Sequence, residues 1–133
     1  MANEAVIIEL LGDGCDPIRY TVADGTAIPK GSVMQLSADR TALITAAADN
    51  PIVGIAASEK VISDGSTTLA VYTNGIFDVV NATAAATLGA VQAPNGVNTV
   101  TDADADDLIQ NSTLGYALET GGTPETIAVR VLK

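Results

Sequence analysis

The chain has 133 residues, enough for one modest domain, and 47% of them are apolar, which excludes a disordered chain. Sixteen acidic residues against six basic ones leave a formal net charge of −10. A surface of that sign repels phosphate backbones and anionic headgroups, so nucleic acid and membrane are set aside as partners.

The kinds of residue matter as much as their number. There is one Phe, no Trp, three Tyr, one Cys and no His. The core must therefore be assembled from many small aliphatic contacts. One cysteine excludes a disulfide framework within the chain and a cysteine-based zinc site, and without His no Ser-His or Cys-His nucleophile pair can be built.

At the N-terminus, MANEAVIIELLGDG carries Glu4 and Glu9 and lacks both a basic leader region and a signal-length apolar run, so no secretion signal is expected. Within it AVIIELL (5–11) is the most β-prone run of the chain. Cys15 follows between Asp13 and Asp16, where flanking carboxylates disfavour a thiolate, so it reads as a turn residue rather than a nucleophile. IRYTV (18–22) alternates as a strand does, ADGTAIPKGS (23–32) is turn chemistry, and VMQLS (33–37), TALIT (41–45) and IVGIAA (52–57) are the next strands. TLAVYT (68–73) and IFDVV (76–80) flank Asn74-Gly75, the dipeptide that most strongly signals a two-residue hairpin turn. GAVQA, NTVT, TLGYAL and TIAVRVL complete the set.

Helix signals are sparse. The Ala-rich run 82–90 carries two Thr and a late Gly89, and 102–111 has room for one short turn with Asp102 as N-cap, so helix should occupy under a fifth of the chain. DADADD places Asp102, Asp104 and Asp106 at the first, third and fifth positions of a calcium loop. Asp107 then stands where a glycine is needed and Thr113 where a bidentate Glu is needed, so a solvated acidic loop is the better reading. No phosphate-binding glycine motif is present. Neither catalytic residues, a metal site nor a cofactor is expected.

Many short strands between frequent turns indicate an all-β fold, a small sandwich or barrel. Its core should contain Val33, Leu36, Ile52, Ile55, Leu69, Val71, Phe77, Val79, Leu114, Ile127, Val129 and Val131. The chain also resembles itself. Gly31 and Val33 match Gly89 and Val91 at an offset of 58, Gly54 and Ala56 match Gly115 and Ala117 at 61, and Leu69, Ala70 and Val71 match Ile127, Ala128 and Val129 at 58 again. Duplication of a β unit accounts for this; so does chance, because Gly and Ala are abundant here. If the repeat is real, Gly54 and Gly115 should hold equivalent strand positions.

The order IPKGSVMQLS, NPIVGIAAS, LAVYTNGIFDVV, TLGAVQ, NSTLGYALETG, IAVRVL resembles the capsid cement or head decoration proteins of tailed bacteriophages, over roughly residues 29–133. The landmarks are Gly31, Val53 to Ala56, Asn74 to Val79 and Leu114 to Leu118. The acidic surface and DADADD depart from the family's pattern. The resemblance implies a β domain at 29–133 preceded by an extended segment at 1–28. It further implies a virion protein on the outer capsid surface, made in the host cytoplasm, that bridges major capsid protein subunits, with a trimer as the favoured oligomer. A β-rich fibre or tail-tip module for host adhesion is the alternative, which the low aromatic content disfavours. The segment 5–11 either closes the domain's own sheet or reaches out to add to a neighbour's. A bridging protein needs an element beyond its compact body, which favours the second fate and makes Ala5, Val6, Ile7, Ile8, Leu10 and Leu11 the expected capsid contacts.

Overall fold

A computed structural model describes residues 3–10, 17–45, 50–81 and 85–133. Among these residues eleven strands and one short helix follow in order: β1 (Val6–Glu9), β2 (Ile18–Thr21), β3 (Val33–Ala38), β4 (Thr41–Ile44), β5 (Ile52–Ala56), β6 (Thr68–Tyr72), β7 (Asn74–Asn81), β8 (Val91–Pro94), β9 (Thr99–Asp102), α1 (Ala105–Ile109), β10 (Gly115–Ala117) and β11 (Glu125–Leu132). The all-β expectation holds, as a pair of barrels. Strands β2-β4-β3-β5-β6 close on themselves. Strands β7-β9-β8-β10-β11 form a second ring, closed by pairing of β7 with both β9 and β11, and β1 is added to the edge of β7.

The two rings have one topology and one register. Each has a single parallel seam, Thr21 opposite Thr41 in the first and Val80 opposite Thr99 in the second. Met34 opposite Ile44 becomes Gln92 opposite Asp102, both partners shifted by 58 residues. Val33 opposite Ile55 becomes Val91 opposite Tyr116, shifted by 58 and 61. The two offsets seen in the sequence are thus the two halves of one strand ladder, and the chain is an internal duplication. Alternation follows the pleat: in β7 Gly75, Phe77, Val79 and Asn81 are buried and their neighbours are not.

Gly54 and Gly115 show why the duplicated glycines persist. A Cβ on Gly54 would lie 2.0 Å from the Tyr72 carbonyl oxygen, and one on Gly115 would lie 1.8 Å from that of Arg130. Tyr72 and Arg130 are themselves duplicates, opposite Ile55 and Tyr116. At both places a neighbouring backbone approaches too closely for any side chain.

Each barrel has its own apolar filling. Val22, Ile28, Met34, Ala42, Ile44, Val53, Leu69 and Val71 are buried in the first. Phe77, Val79, Val100, Leu114, Ile127, Val129 and Val131 are buried in the second, where Val33, Ile52 and Ile55 of the first barrel's outer wall join them. Eleven of the twelve expected core residues are fully buried, and Leu36 packs partly buried against the first cluster. The first barrel takes in the chain from Ile18 onward, so part of the expected N-terminal segment, 1–28, belongs to it.

Two local expectations are corrected. Asn74-Gly75 is not a hairpin turn: both residues open β7, with Asn74 opposite Leu132 and Gly75 opposite Val131, and β6 and β7 lie in different barrels. Gly75 at φ +149° is used for a close approach instead, its Cβ position lying 2.7 Å from the Glu9 carbonyl oxygen. The short helix does form, but its N-cap is Asp104. Asp104 and Asp107 each accept the other's backbone N–H in a reciprocal capping box. Asp102 lies two residues too early and ends β9 instead.

Gly54→Ala and Gly115→Ala should each lower stability by about 2–3 kcal/mol, because the new methyl must displace backbone. Gly25→Ala, with open space around its Cβ position, should be near neutral; urea unfolding midpoints of the three variants check this.

Candidate interaction surface

The N-terminal strand lies across both barrels. Val6 pairs with Asp78 and Ile7 with Phe77 on β7, and a bulge at Ile8 brings Glu9 opposite Ile76. Toward the first barrel, the Ala5 N–H donates to the Gly31 carbonyl at 2.6 Å. Gly31 admits this contact because a side chain there would meet the Ala5 oxygen at 2.3 Å. The segment therefore closes the chain's own sheet, the fate the sequence reading favoured less.

Of the expected contact residues, Ala5 is buried, while Ile7 and Leu10 pack partly buried against the second barrel's core. Val6 and Ile8 point away from the body, 60% and 52% exposed. Leu11 lies outside the described residues, as do Gly12 to Asp16, Cys15 among them. Beside the strand runs a groove of about 350 Å³, floored by Gly31, Ile55 and Ala56, walled by Ala5 to Ile7 and rimmed by Lys30. An extended apolar segment fits such a groove chemically: two outward aliphatic side chains, a sheet edge, and one cation.

The polar residues that the sequence singled out serve the fold. Asp102 accepts a hydrogen bond from Gln92 Nε2 at 2.8 Å and another from the Thr87 N–H at 3.2 Å. Burial works to raise its pKa, but these bonds hold the carboxyl below its ordinary value. In the first barrel the same cross-strand pair is Met34 and Ile44, so a polar pair has replaced an apolar one. Among the described residues no group of three or more acidic side chains is arranged to hold a metal ion.

The sequence reading missed a buried ion cluster. The Lys60 side chain is fully buried, and its Nζ donates to Asp24 Oδ1 and Asp64 Oδ1, both at 3.0 Å, and to the Asp24 and Val61 carbonyls. All three of its protons are engaged in closing the 61–66 loop onto the first barrel. Burial would lower the lysine's pKa, yet Asp64 and Asp24 more than offset this and raise it. Asp64 also accepts the backbone N–H groups of Ser66 and Val61, and these bonds with that from Lys60 lower its carboxyl to about 2. The i, i+4 spacing of Lys60 and Asp64 was a visible signal; Asp24, 36 residues upstream, was not. The duplicate of Lys60 is Gly121, as the shared bridges from Ile28 and Ala86 show, so the second barrel has no such clasp.

Most other cations are also committed. Arg130 Nη1 donates to Asn74 Oδ1 and to the Val131 carbonyl, and Lys133 Nζ donates to Asn111 Oδ1 and the Thr113 carbonyl. Burial pushes the Lys133 pKa down. Arg19 and Arg40 stand together on the first barrel, where Arg40 Nη2 donates to the Arg19 carbonyl at 3.3 Å.

No protein-family model matches the chain, and no curated protein matches it.

The Asp64 carboxyl is easier to ionise folded than unfolded, so its contribution is complete above the unfolded value of 3.8 and is lost as pH falls through about 2. Thermal midpoints measured from pH 5 to pH 2 should fall more steeply for the native chain than for Lys60→Met. Some slope should survive in the variant, because the Ser66 and Val61 bonds to Asp64 remain.

Proposed function

We propose that this protein is a structural component of a virus particle, a cement protein that binds the outer face of an icosahedral shell and bridges major capsid protein subunits. The observation that carries the reading is the N-terminal strand with its groove. An otherwise closed double barrel turns Val6 and Ile8 outward beside an apolar channel, and that edge is suited to an extended segment of a capsid subunit. The polar clusters supply further support, since Lys60, Asp102 and the Asp104–Asp107 box are each spent on holding loops, as befits a protein that works by binding rather than by catalysis. The charge of −10 suits an outward position, where it keeps particles apart and repels free nucleic acid. A ligand that binds only the expanded lattice stabilises that lattice by mass action, and this is the mechanical role proposed.

Because Val6 and Ile8 point away from the core, Val6→Asp with Ile8→Asp should leave the thermal midpoint within a few degrees of the native chain while weakening decoration at least about tenfold. Co-sedimentation with expanded and unexpanded shells of the encoding virus reads the decoration, and thermal unfolding of the free chains reads the midpoint. Undiminished decoration by the double variant would remove the strand from the interface. Equal binding to unexpanded shells would remove the cement role, and electron microscopy placing the protein on the tail would support the adhesion alternative.

A further inference from the structure

Between its two barrels the molecule contains a junction that is used once and present twice. On one side of it stand Val33, Ile52 and Ile55, projecting from the outer wall of the first barrel into the core cluster of the second. On the other side stand Asn98, Asn111 and Phe77. The Val33 N–H donates to Asn98 Oδ1 at 2.9 Å, and the Ile52 N–H donates to the Asn111 carbonyl at 3.1 Å. The two sides are different surfaces, so the contact is head-to-tail rather than two-fold.

The duplication supplies a second copy of each side. The wall residues Val33, Ile52 and Ile55 correspond to Val91, Thr113 and Tyr116 of the second barrel, a correspondence tied down by the pairing of Val33 with Ile55 and of Val91 with Tyr116. The receiving residues Asn98, Asn111 and Phe77 correspond to Arg40, Asn50 and Ile18 of the first barrel. Arg40 and Asn98 share the same left-handed backbone, φ +47° and +57°. Ile18 and Phe77 are opposite the duplicate pair Val71 and Val129. Among the described residues, both second copies are open at Tyr116 and Ile18. Ile55 is fully buried where Tyr116 is 38% exposed, and Phe77 is fully buried where Ile18 is 43% exposed.

We infer that these two open sides meet between chains, the outer wall of the second barrel in one copy docking on the first barrel of the next and repeating the internal junction. One local charge pairing fits this contact. The receiving side carries Arg19 and Arg40, two of the six cations of the chain. On the wall side the Val91 carbonyl accepts the N–H of Ala103 at 2.7 Å, and Ala103 is flanked by Asp102 and Asp104. Arg40, taking the place that Asn98 holds opposite Val33, is delivered to these carboxylates. The occupant is thus a second copy of this chain, and the inference does not depend on the capsid reading.

Adjacency at positions 33 and 98 inside the molecule predicts adjacency at 91 and 40 between molecules. In a Cys15→Ser background, Arg40→Cys chains mixed with Val91→Cys chains should yield a disulfide-linked heterodimer under mild oxidation, with neither variant alone giving that product. Sedimentation equilibrium of the native chain should show association that rises with concentration and weakens with salt. Tyr116→Lys and Arg19→Glu, both at exposed positions, should each weaken it at least about tenfold. A chain that stays monomeric up to about 1 mM without forming the mixed disulfide overturns the inference. An oligomer indifferent to both substitutions overturns it equally, by assigning the contact to another face.

Discussion

Val33, Ile52 and Ile55 leave the first barrel pointing outward, and their burial is what makes two barrels one body. A strand in a closed ring has an inner and an outer face, and at the start of β3 and throughout β5 both faces are buried. Removing three such aliphatic side chains from water is worth about 2 kcal/mol each, a large share of the stability of an ordinary domain. With a single Phe and no Trp the chain cannot obtain that margin from aromatic packing inside either ring. Much else follows from the shared cluster. Phe77 and Tyr72, ring centres 5.9 Å apart, sit on either side of the link between the barrels. The N-terminal strand crosses the same region, pinned to Gly31 on one barrel and to β7 on the other.

What the sequence revealed of this, and what it hid, has a physical pattern. Period-two alternation located the strands, and small residues located the duplication, because Gly54 and Gly115 are held by backbone contacts that admit nothing larger. The duplicated strands β4 and β9 and the pair Met34/Ile44 against Gln92/Asp102 went unrecognised, since an apolar and a polar solution to one cross-strand position share no chemistry. Asn74-Gly75 misled for a related reason. The dipeptide permits a tight turn but does not demand one, and the full ladder of β7 with β11 outweighed it. The fate of residues 5–10 turned on Gly31 and Gly75, whose role depends on a strand arriving from elsewhere in the chain.

The acidic surface hides a division of labour between the two halves. The first barrel holds its 61–66 loop with a buried lysine clasped by two aspartates, a device that leaves an uncompensated charge if any member is lost. The second holds its own with neutral or singly charged hydrogen bonds, Gln92 to Asp102 and the capping box of α1. Acidification therefore reaches the two halves differently, and the half that carries the clasp also carries Arg19 and Arg40. The candidate surface, by contrast, is apolar at Val6 and Ile8, and its exposure was not legible without the register that turns Ile7 inward and bulges at Ile8.

Thr73 is the whole of the connection between β6 and β7, and its shortness has a consequence for concentration. One residue of tether keeps the inner junction at an effective concentration of at least millimolar order, so it forms whatever the dilution of the protein. An identical contact between separate chains has no tether and feels only the concentration at which copies meet. Copies scattered in a cytoplasm would seldom make it, whereas copies held side by side on an ordered surface would be concentrated by that surface as effectively as Thr73 concentrates the two barrels.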